Sequence, residues 1–478
     1  MSTDSRAPRG SLKRDHLSFL DVVAQAIGII APSGTPAFVF LGVFATAGNA
    51  LWLAYLFATL ALLLLSFNIT AFSRRSASPG ALYTFAGQGL GAFWGSITGW
   101  SLVIAYLFTA GAVVAGAVNY ALVVLHAVFG PFADVAASVA IAALLVFIAF
   151  YVAWRSIKLS TRLTLTLEAV TVIAILTIAV LWLLRAPNPV DSAQLRLDGV
   201  TADQVRLGLV LAFFSFVGFE GATVLGHEAR NPLRVIPRAV IVTVLSVGLF
   251  FVFTGYVLVA AFQGAATGLD KVDAPLSVLA TSVGLEPLGL LIAAGVAASF
   301  FASALGSINA GARIIYSLSR HGIIFGRAGD AHETHATPHV AVAISAAIAA
   351  LLALPLIGAG IGLLDVFAYL GTIATLGFLT TYILVAIAAP VFLRSRGELR
   401  IHHVLVSVLS ILLLTLPVIG VLYPVPDYPL NILPYVFLGL LLIGGLQFVI
   451  LRWRSPKVLD VIQKDLNESA TPAAVAAE

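Results

Sequence analysis

The chain has 478 residues, of which 60% are hydrophobic and only 10% are charged, and its mean hydropathy of +1.04 lies far above the range of water-soluble globular proteins. It contains no cysteine, which excludes disulfides, thiolate metal sites and a cysteine nucleophile. The net charge of +4 is typical of a membrane protein with basic loops on one side, and it does not indicate binding to nucleic acid.

Apolar stretches of about 20 residues recur along the chain, which predicts an all-α membrane protein because helices of that length cross a bilayer. The first stretch is too long for a signal-peptide core and is interpreted as a retained span. Charged residues, prolines and glycines separate twelve predicted spans, at 20–45, 48–72, 94–125, 132–154, 158–185, 204–228, 236–262, 287–319, 338–357, 363–393, 402–422 and 430–453.

The distribution of basic residues predicts the orientation of these spans. If the N-terminus is cytoplasmic, all but four of the 26 lysines and arginines fall on the cytoplasmic side. The exceptions are Arg185, Arg196, Arg206 and Lys271. The positive-inside rule therefore predicts a multi-pass protein of the cytoplasmic (inner) membrane with both termini in the cytoplasm. The tails at 1–16 and 456–478 are polar or alanine-rich, and we expect them to be disordered.

The first span is interrupted in the sequence AIGIIAPSGTPAFVF. Pro32 removes a helical hydrogen bond, Gly34 permits unusual dihedral angles, and Pro36 suits the first turn of a new helix. Two half-helices are predicted, and the second would present free backbone N–H groups near Ser33, Gly34 and Thr35, where an anionic group could bind. A simple proline kink is the alternative.

The sixth span contains a second interruption, where Gly218 and Gly221 flank Glu220. It comes five spans after the first, which suggests two halves of five helices each. Because an offset of five spans is odd, span 6 would cross the membrane in the opposite direction to span 1, and the two halves would have inverted topology. Paired breaks in inverted repeats are typical of secondary transporters.

Three stretches resemble the amino acid/polyamine/organocation (APC) superfamily of secondary transporters. They are FSFVGFEGATVLGHEARNPLRVIPRAV in span 6, ALGSINAGARIIYSLSRHG in span 8, and SPGALYTFAGQGLGAFWGSITGW before span 3. The resemblance covers about residues 15–455. It implies alternating access, substrates with an amino group, and an inverted five-plus-five repeat with two further peripheral helices. The corresponding divisions are 17–185 for the first repeat, 204–393 for the second and 402–453 for the peripheral spans.

The resemblance also implies a binding site at the two breaks. In the family, backbone amides and a small hydroxylic residue of span 1 hold the substrate carboxylate, while carbonyls of both breaks face its ammonium group and an aromatic side chain acts as a gate. The matching positions are Pro32, Ser33, Gly34 and Thr35 for the carboxylate, Ile30, Phe214, Ser215, Val217 and Gly218 for the ammonium side, and Phe214 for the gate.

Two departures from the family pattern concern the site and its coupling ion. The family more often has Gly-Ser-Gly where this chain has Ala-Pro-Ser-Gly. Some members carry a lysine in span 5 that stands in for a coupling cation, and the nearest match here is Thr171.

Acidic residues within the spans are costly to insert and usually have a partner or a function. Glu220 has two interpretations, as a protonation-linked coupling switch or as a structural carboxylate that caps the broken backbone. Glu168 follows Arg162 by six residues, about 9 Å along the helix. It could face the core and carry protons, or pair with a cytoplasmic basic residue. Glu228 and Arg313 could form a closing gate, or belong to ordinary positive-inside loops.

The sequence therefore predicts a transporter of amino acids, working by proton-coupled symport or by exchange. The small number of carboxylates in the spans favours a neutral or modestly sized amino acid as substrate. A polyamine or other organic amine is the alternative substrate, and a non-transporting solute sensor is the alternative function.

No hydrolase, P-loop or dinucleotide motif occurs, so no enzyme and no cofactor is predicted. The histidines of HETHATPH lack the spacing of a zinc site, and no metal is predicted. Expected partners are the substrate, H+ as coupling ion and membrane lipids, without nucleic acid.

Overall fold

The computed structural model describes residues 17–76, 82–130, 135–155, 157–225, 228–265, 267–272, 274–332, 335 and 337–454. The two tails predicted to be disordered lie outside these residues. Within them every regular element is a helix, and the sole extended pairing is an isolated bridge between Leu17 and Ala229.

The first part of the chain forms eight α-helices. They are α1 (Phe19–Ile30), α2 (Phe40–Ala47), α3 (Leu51–Ser73), α4 (Leu82–Leu90), α5 (Ala92–Phe129), α6 (Val135–Arg155), α7 (Ile157–Arg185) and α8 (Ser192–Arg196). A π-helical turn, Thr35–Val39, leads directly into α2, and a 3₁₀ turn, Gly48–Ala50, joins α2 to α3.

The second part forms eight more. They are α9 (Ala202–Phe214), α10 (Pro232–Phe262), α11 (Pro275–Ser282), α12 (Glu286–Arg320), α13 (His339–Gly358), α14 (Leu363–Ser395), α15 (Ile401–Leu422) and α16 (Leu433–Arg454). A 3₁₀ segment, Phe219–Leu225, follows α9 and forms the second part of the sixth predicted span.

Eleven helical segments of the described chain are long and apolar enough to cross a membrane. The sequence predicts twelve, and the two counts differ at the first segment. Phe19–Ser73 contains α1, α2 and α3 in 55 residues, which at 1.5 Å per residue is about 80 Å and more than twice the thickness of a hydrocarbon core. The other predicted spans agree with the helices to within a few residues at each end.

The two interrupted segments start in the same way. Ser18 caps α1 and exchanges hydrogen bonds with Asp21, and Thr201 caps α9 and exchanges them with Gln204. Such reciprocal capping satisfies backbone N–H groups that the first helical turn leaves free. Each broken span therefore has a fixed starting point ahead of its break.

The centre of the bundle is α5, which is mostly buried from Gly95 to Tyr120 and packs against α12 and α14. In lipid there is no hydrophobic force between helices, so they associate through close van der Waals contact. Small residues allow this contact because they let the backbones approach each other. A Cβ atom on Gly377 would lie 2.9 Å from the carbonyl oxygen of Ser101, and one on Gly116 would lie 3.0 Å from the Phe300 ring. The glycines thus bring α14 and α12 against α5.

Candidate functional site

The first span is broken at the position that the prolines predict. Helix α1 ends at Ile30, and Ala31 adopts the left-handed conformation with φ of 52°. The Gly34 N–H donates to the Ala31 carbonyl at 2.9 Å, which closes a turn, and helical structure resumes with Pro36 in the first turn of the π-helical segment. Because Pro36 has no N–H, it suits the start of a helix, where donors have no partner.

The sixth span is broken after Phe214. The chain turns through Ser215, Phe216 and Val217, and Gly218 has a φ of 102°, which side-chain-bearing residues rarely adopt. A Cβ atom at Gly218 would also lie only 2.1 Å from Cγ2 of Ile29. Both the backbone conformation and the available space therefore require glycine here.

Ile29 joins the two breaks. Its side chain lies against three glycines, since Cβ atoms on Gly218, Gly221 and Gly306 would approach it to 2.1, 2.5 and 2.7 Å. Its backbone carbonyl accepts a hydrogen bond from the Ser303 hydroxyl of α12. The end of α1, the second break and the middle of α12 thus form one packed unit, so α1 cannot shift without disturbing the second break.

Glu168 of α7 meets the first break. Its Oε1 accepts a hydrogen bond from the backbone N–H of Ser33 at 2.7 Å, and the side chains of Ser33 and Ser299 also face the carboxylate. Its exposed fraction is 2%. Among the described residues its hydrogen-bond partner is an amide of the break, so the carboxylate faces the core of the bundle; that it carries protons stays a prediction.

Thr171, the match to the family's lysine position, lies one turn beyond Glu168. It packs against α12, where a Cβ atom on Gly295 would lie 2.0 Å from the Thr171 hydroxyl oxygen. Glu168 is the α7 residue that accepts the hydrogen bond from the backbone N–H of Ser33 in the first break.

Glu220 lies in the second break and is 1% exposed. Its two carboxylate oxygens accept hydrogen bonds from the hydroxyls of Tyr106 on α5, at 2.8 Å, and Tyr382 on α14, at 2.5 Å. The carboxylate therefore ties the second break to two helices of the bundle centre. Sequence reasoning missed both tyrosines, because nothing local in α5 or α14 indicates which side chains face Glu220.

Phenylalanines cover the breaks on one side. The ring of Phe214 lies 5.3 Å from that of Phe367, edge to face, and Phe367 in turn contacts Phe38 and Phe300 at 5.3 and 5.8 Å. The Phe300 ring also covers Gly34, where a Cβ atom would come within 2.6 Å of it. All four rings are buried. Of these four rings, only Phe214 was predicted. Phe300 could have been found from the sequence, because it is a large residue among small ones in ASFFASALGS.

An ion pair closes the other side. The guanidinium of Arg313 on α12 donates to both carboxylate oxygens of Glu228, at 2.8 and 3.0 Å, and both side chains are at most 5% exposed. Arg313 follows Phe300 by 13 residues, or about 20 Å along α12. Leu17 adds to this closure, because its N–H donates to the Glu228 carbonyl at 2.9 Å.

The other predicted site residues belong to the two breaks. The hydroxyls of Ser215 and Tyr55 share a hydrogen bond of 2.8 Å. All predicted site residues of the two breaks are buried, namely Ile30, Pro32, Ser33, Gly34, Thr35, Phe214, Ser215, Val217, Gly218 and Glu220. Glu168, Glu228 and Arg313 are buried as well. The structure therefore brings the predicted residues of both breaks into one region that is closed to solvent.

The histidines of the loop before α13 lie apart from this region. The His332 ring stacks on His335 at 4.7 Å and meets His339 edge-on at 5.4 Å, and both His332 and His335 contact Trp154. Among the described residues, no group of three or more potential ligands is arranged to hold a metal ion.

A bundle of membrane-spanning helices, two of them interrupted around a buried polar region, has the architecture of a secondary transporter. The model of the family described as amino acid permease matches residues 21–441. The chain therefore belongs to the amino acid permease family, and it is a multi-pass membrane protein and a secondary transporter of amino acids.

Individual relatives agree with this assignment. The branched-chain amino acid permease BcaP of Bacillus subtilis is 27% identical over 410 residues, which cover 81% of this chain and 83% of that protein. Cationic amino acid transporter 4 of Mus musculus is 26% identical over 391 residues, 77% of this chain but 59% of that longer protein. The low-affinity putrescine importer PlaP of Escherichia coli K12 is 27% identical over 311 residues, 62% of this chain and 66% of that protein.

Proposed function

We propose that the protein moves a neutral amino acid across the cytoplasmic membrane by alternating access around the two helix breaks. The observation that carries this proposal is the hydrogen bond of 2.7 Å between the Ser33 N–H and a carboxylate. An amide that is freed by a helix break and already binds one carboxylate is suited to bind the carboxylate of a substrate in its place.

In this proposal the chain crosses the membrane twelve times, with both termini in the cytoplasm. The first segment supplies two crossings, which its 55 residues allow. The inverted repeats comprise residues 17–185 and 204–393, and 402–453 form two peripheral spans. The contact of Ile29 with Gly218 and Gly221 supports this division, because it joins the breaks of the two halves.

In this proposal the substrate carboxylate binds to the backbone amides of Ser33, Gly34 and Thr35. Pro32 shapes the turn that presents them. The backbone carbonyls that receive its ammonium group are those of Ile30, Phe214, Ser215 and Val217, with Gly218 allowing the turn. Because every one of these residues is buried, the observed conformation is closed, and substrate entry requires one layer to open. The inner layer is the Glu228–Arg313 pair and the outer layer is the cluster around Phe214.

For coupling, we assign the proton to Glu168. A charged Glu168 holds the Ser33 N–H, whereas a protonated Glu168 is a weaker acceptor and releases that amide to the substrate carboxylate. Protonation and substrate binding then favour each other, which is the condition for symport. Glu220 is the second candidate, and its two phenolic partners make it the less mobile of the two.

A polyamine is the alternative substrate, and its support is the similarity to a putrescine importer. A diamine needs an acceptor for each of its charges. The region between the two layers contains Glu168 and Glu220 as its buried acids, and both are already engaged in hydrogen bonds. This arrangement favours an amino acid, with one carboxylate and one ammonium group.

The test is uptake by the purified protein in proteoliposomes. Labelled leucine, alanine, lysine and putrescine are offered with an inward proton gradient, an inward sodium gradient or internal amino acid. We expect accumulation of a neutral amino acid driven by the proton gradient. Binding of a solute without gradient-sensitive flux would instead indicate a sensor, and putrescine as the preferred solute would replace the proposed substrate.

A further inference from the structure

A cavity lies at the bundle surface, away from the helix breaks. Its volume is about 420 Å³, and the end of α3, the end of α14 and the start of α15 form its walls. Its polar lining comes mainly from Arg74, Arg75, His402 and His403, which lie at the helix ends. Its apolar lining comes from Phe67, Ala71, Ala389, Leu393 and Val406, which lie farther along the helices.

The charged rim of the cavity has a free positive charge. Arg75 is paired with Glu398 and also donates to the Ala71 carbonyl at 2.7 Å. The Arg75 guanidinium holds the pKa of Glu398 below its ordinary value, so this acid stays charged and offsets Arg75. Within the described chain, the Arg74 side chain has no hydrogen bond or ion pair, and Arg74 is exposed. One unpaired arginine, flanked by His402, therefore faces the cavity.

The floor of the cavity is fixed. The Asn68 side chain accepts a hydrogen bond from the Ser407 hydroxyl at 2.7 Å and donates to the Ser410 hydroxyl at 3.0 Å. These contacts hold α3 against α15 within the membrane. The amide group of Asn68 is thereby satisfied, and the charged side chains that line the cavity lie at its rim.

An exposed apolar stripe leads away from the rim along both helices. On α15, Ile401, Leu405 and Leu409 repeat every four residues with exposed fractions of 74%, 55% and 49%. On α3, Leu60 and Phe67 repeat after seven residues and are 46% and 47% exposed. Residues with these spacings lie on one face of a helix, so the stripe continues from the cavity in the direction of the hydrocarbon core.

We propose that this cavity binds an anionic phospholipid, with its phosphate at Arg74 and His402 and its acyl chains along the stripe. Basic pockets between spanning helices recognise such headgroups. The apolar stripe is the reason to prefer a lipid over a soluble phosphate, which would gain nothing from it. The site lies outside the transport region and does not depend on the proposed substrate.

Native mass spectrometry of the full-length protein in detergent tests this site. Phosphatidylglycerol is titrated against the wild type, Arg74→Gln and His402→Gln, with phosphatidylcholine and glycerol 3-phosphate as further ligands. We expect phosphatidylglycerol to bind the wild type more tightly than phosphatidylcholine or glycerol 3-phosphate. Its affinity should fall about fivefold in Arg74→Gln and by less in His402→Gln. Both substitutions are at exposed positions, so the variants should fold, and gel filtration checks this.

Arg452→Gln is the matched control, because Arg452 is an exposed arginine at the end of α16 that does not line the cavity. An equal loss of affinity in Arg452→Gln would show general surface charge and overturn the proposal. Equal binding of phosphatidylcholine would exclude recognition of the anionic headgroup. Binding of glycerol 3-phosphate as tightly as the lipid, with the same dependence on Arg74, would assign the cavity to a soluble phosphate instead.

Discussion

The two helix breaks each contact a buried carboxylate, but they hold it differently. At the first break the carboxylate comes from another helix, and Glu168 accepts the N–H of Ser33. At the second break Glu220 belongs to the break itself and accepts two phenolic hydroxyls, from Tyr106 and Tyr382. A hydrogen bond to one backbone amide can be exchanged for one to a substrate carboxylate. Two bonds from separate helices form a brace, so the comparison separates a movable carboxylate from a fixed one.

The largest effect is expected from replacing the glycine at which the two breaks pack against each other. Gly218→Ala places a Cβ atom 2.1 Å from Ile29 at a φ of 102°. We expect loss of uptake and a loss of about 3 kcal/mol or more in the free energy of unfolding, from backbone strain together with overpacking. Labelled amino acid uptake and unfolding in detergent measure the two effects.

Gly439→Ala is the control for this substitution, because no atom lies within 4 Å of a Cβ atom at that position on α16. It should leave uptake and stability unchanged. A folded and active Gly218→Ala protein would show that the close contact between the breaks is not required.

The next largest effect concerns the ion pair that closes the region between the breaks. Arg313→Met leaves Glu228 as an uncompensated buried charge, which costs about 3–5 kcal/mol in the free energy of unfolding. The double substitution Glu228→Gln and Arg313→Met should recover most of this loss, because it removes both charges. A double-mutant cycle on unfolding measures the coupling. Additive losses would mean that the two side chains do not interact in the membrane-embedded protein.

The two carboxylates themselves can be compared directly. We expect Glu168→Gln to make uptake insensitive to an imposed proton gradient while exchange of internal for external amino acid continues. We expect Glu220→Gln to keep the pH dependence but to lose about 1.5–3 kcal/mol in stability, because its charge-assisted hydrogen bonds are weakened. Uptake at several pH values distinguishes them. The reverse result, with pH dependence lost only in Glu220→Gln, would assign the coupling proton to Glu220.

The smallest effect is expected at the exposed pair of Arg75 and Glu398, far from both breaks. Arg75 lowers the pKa of Glu398, so the pair contributes stability above the ordinary carboxyl pKa, and this contribution is lost as pH falls through the lowered value. Arg75→Gln should therefore reduce the thermal midpoint slightly at pH 7 and by less at pH 3. A larger effect at pH 3 than at pH 7 would contradict this sign.

The sequence was sufficient to predict the helices and the positions of both breaks. Proline and glycine act on their own backbone, so Pro32, Pro36 and Gly218 mark the breaks without knowledge of any neighbour. The spans are apolar on all sides, and this strong signal places their ends to within a few residues.

The partners of the break residues were not predictable in the same way. Tyr106 and Tyr382 are separated from Glu220 by 114 and 162 residues in sequence, and apolar helices have no polar face that would reveal which side chains point inward. The same reason explains why Glu168 had two interpretations: its depth follows from the helical rise, whereas its direction depends on how α7 packs against α1.

Accessibility of a single cysteine tests alternating access most directly, because the natural chain contains none. Ser215→Cys, at a buried position of the second break, is treated with a membrane-impermeant thiol reagent in right-side-out and inside-out vesicles. Alternating access predicts that the cysteine is labelled from one side at a time. Adding Arg313→Met should increase its labelling from the cytoplasmic side and reduce its labelling from the external side. Simultaneous labelling from both sides, or unchanged labelling in the Arg313→Met background, would contradict it.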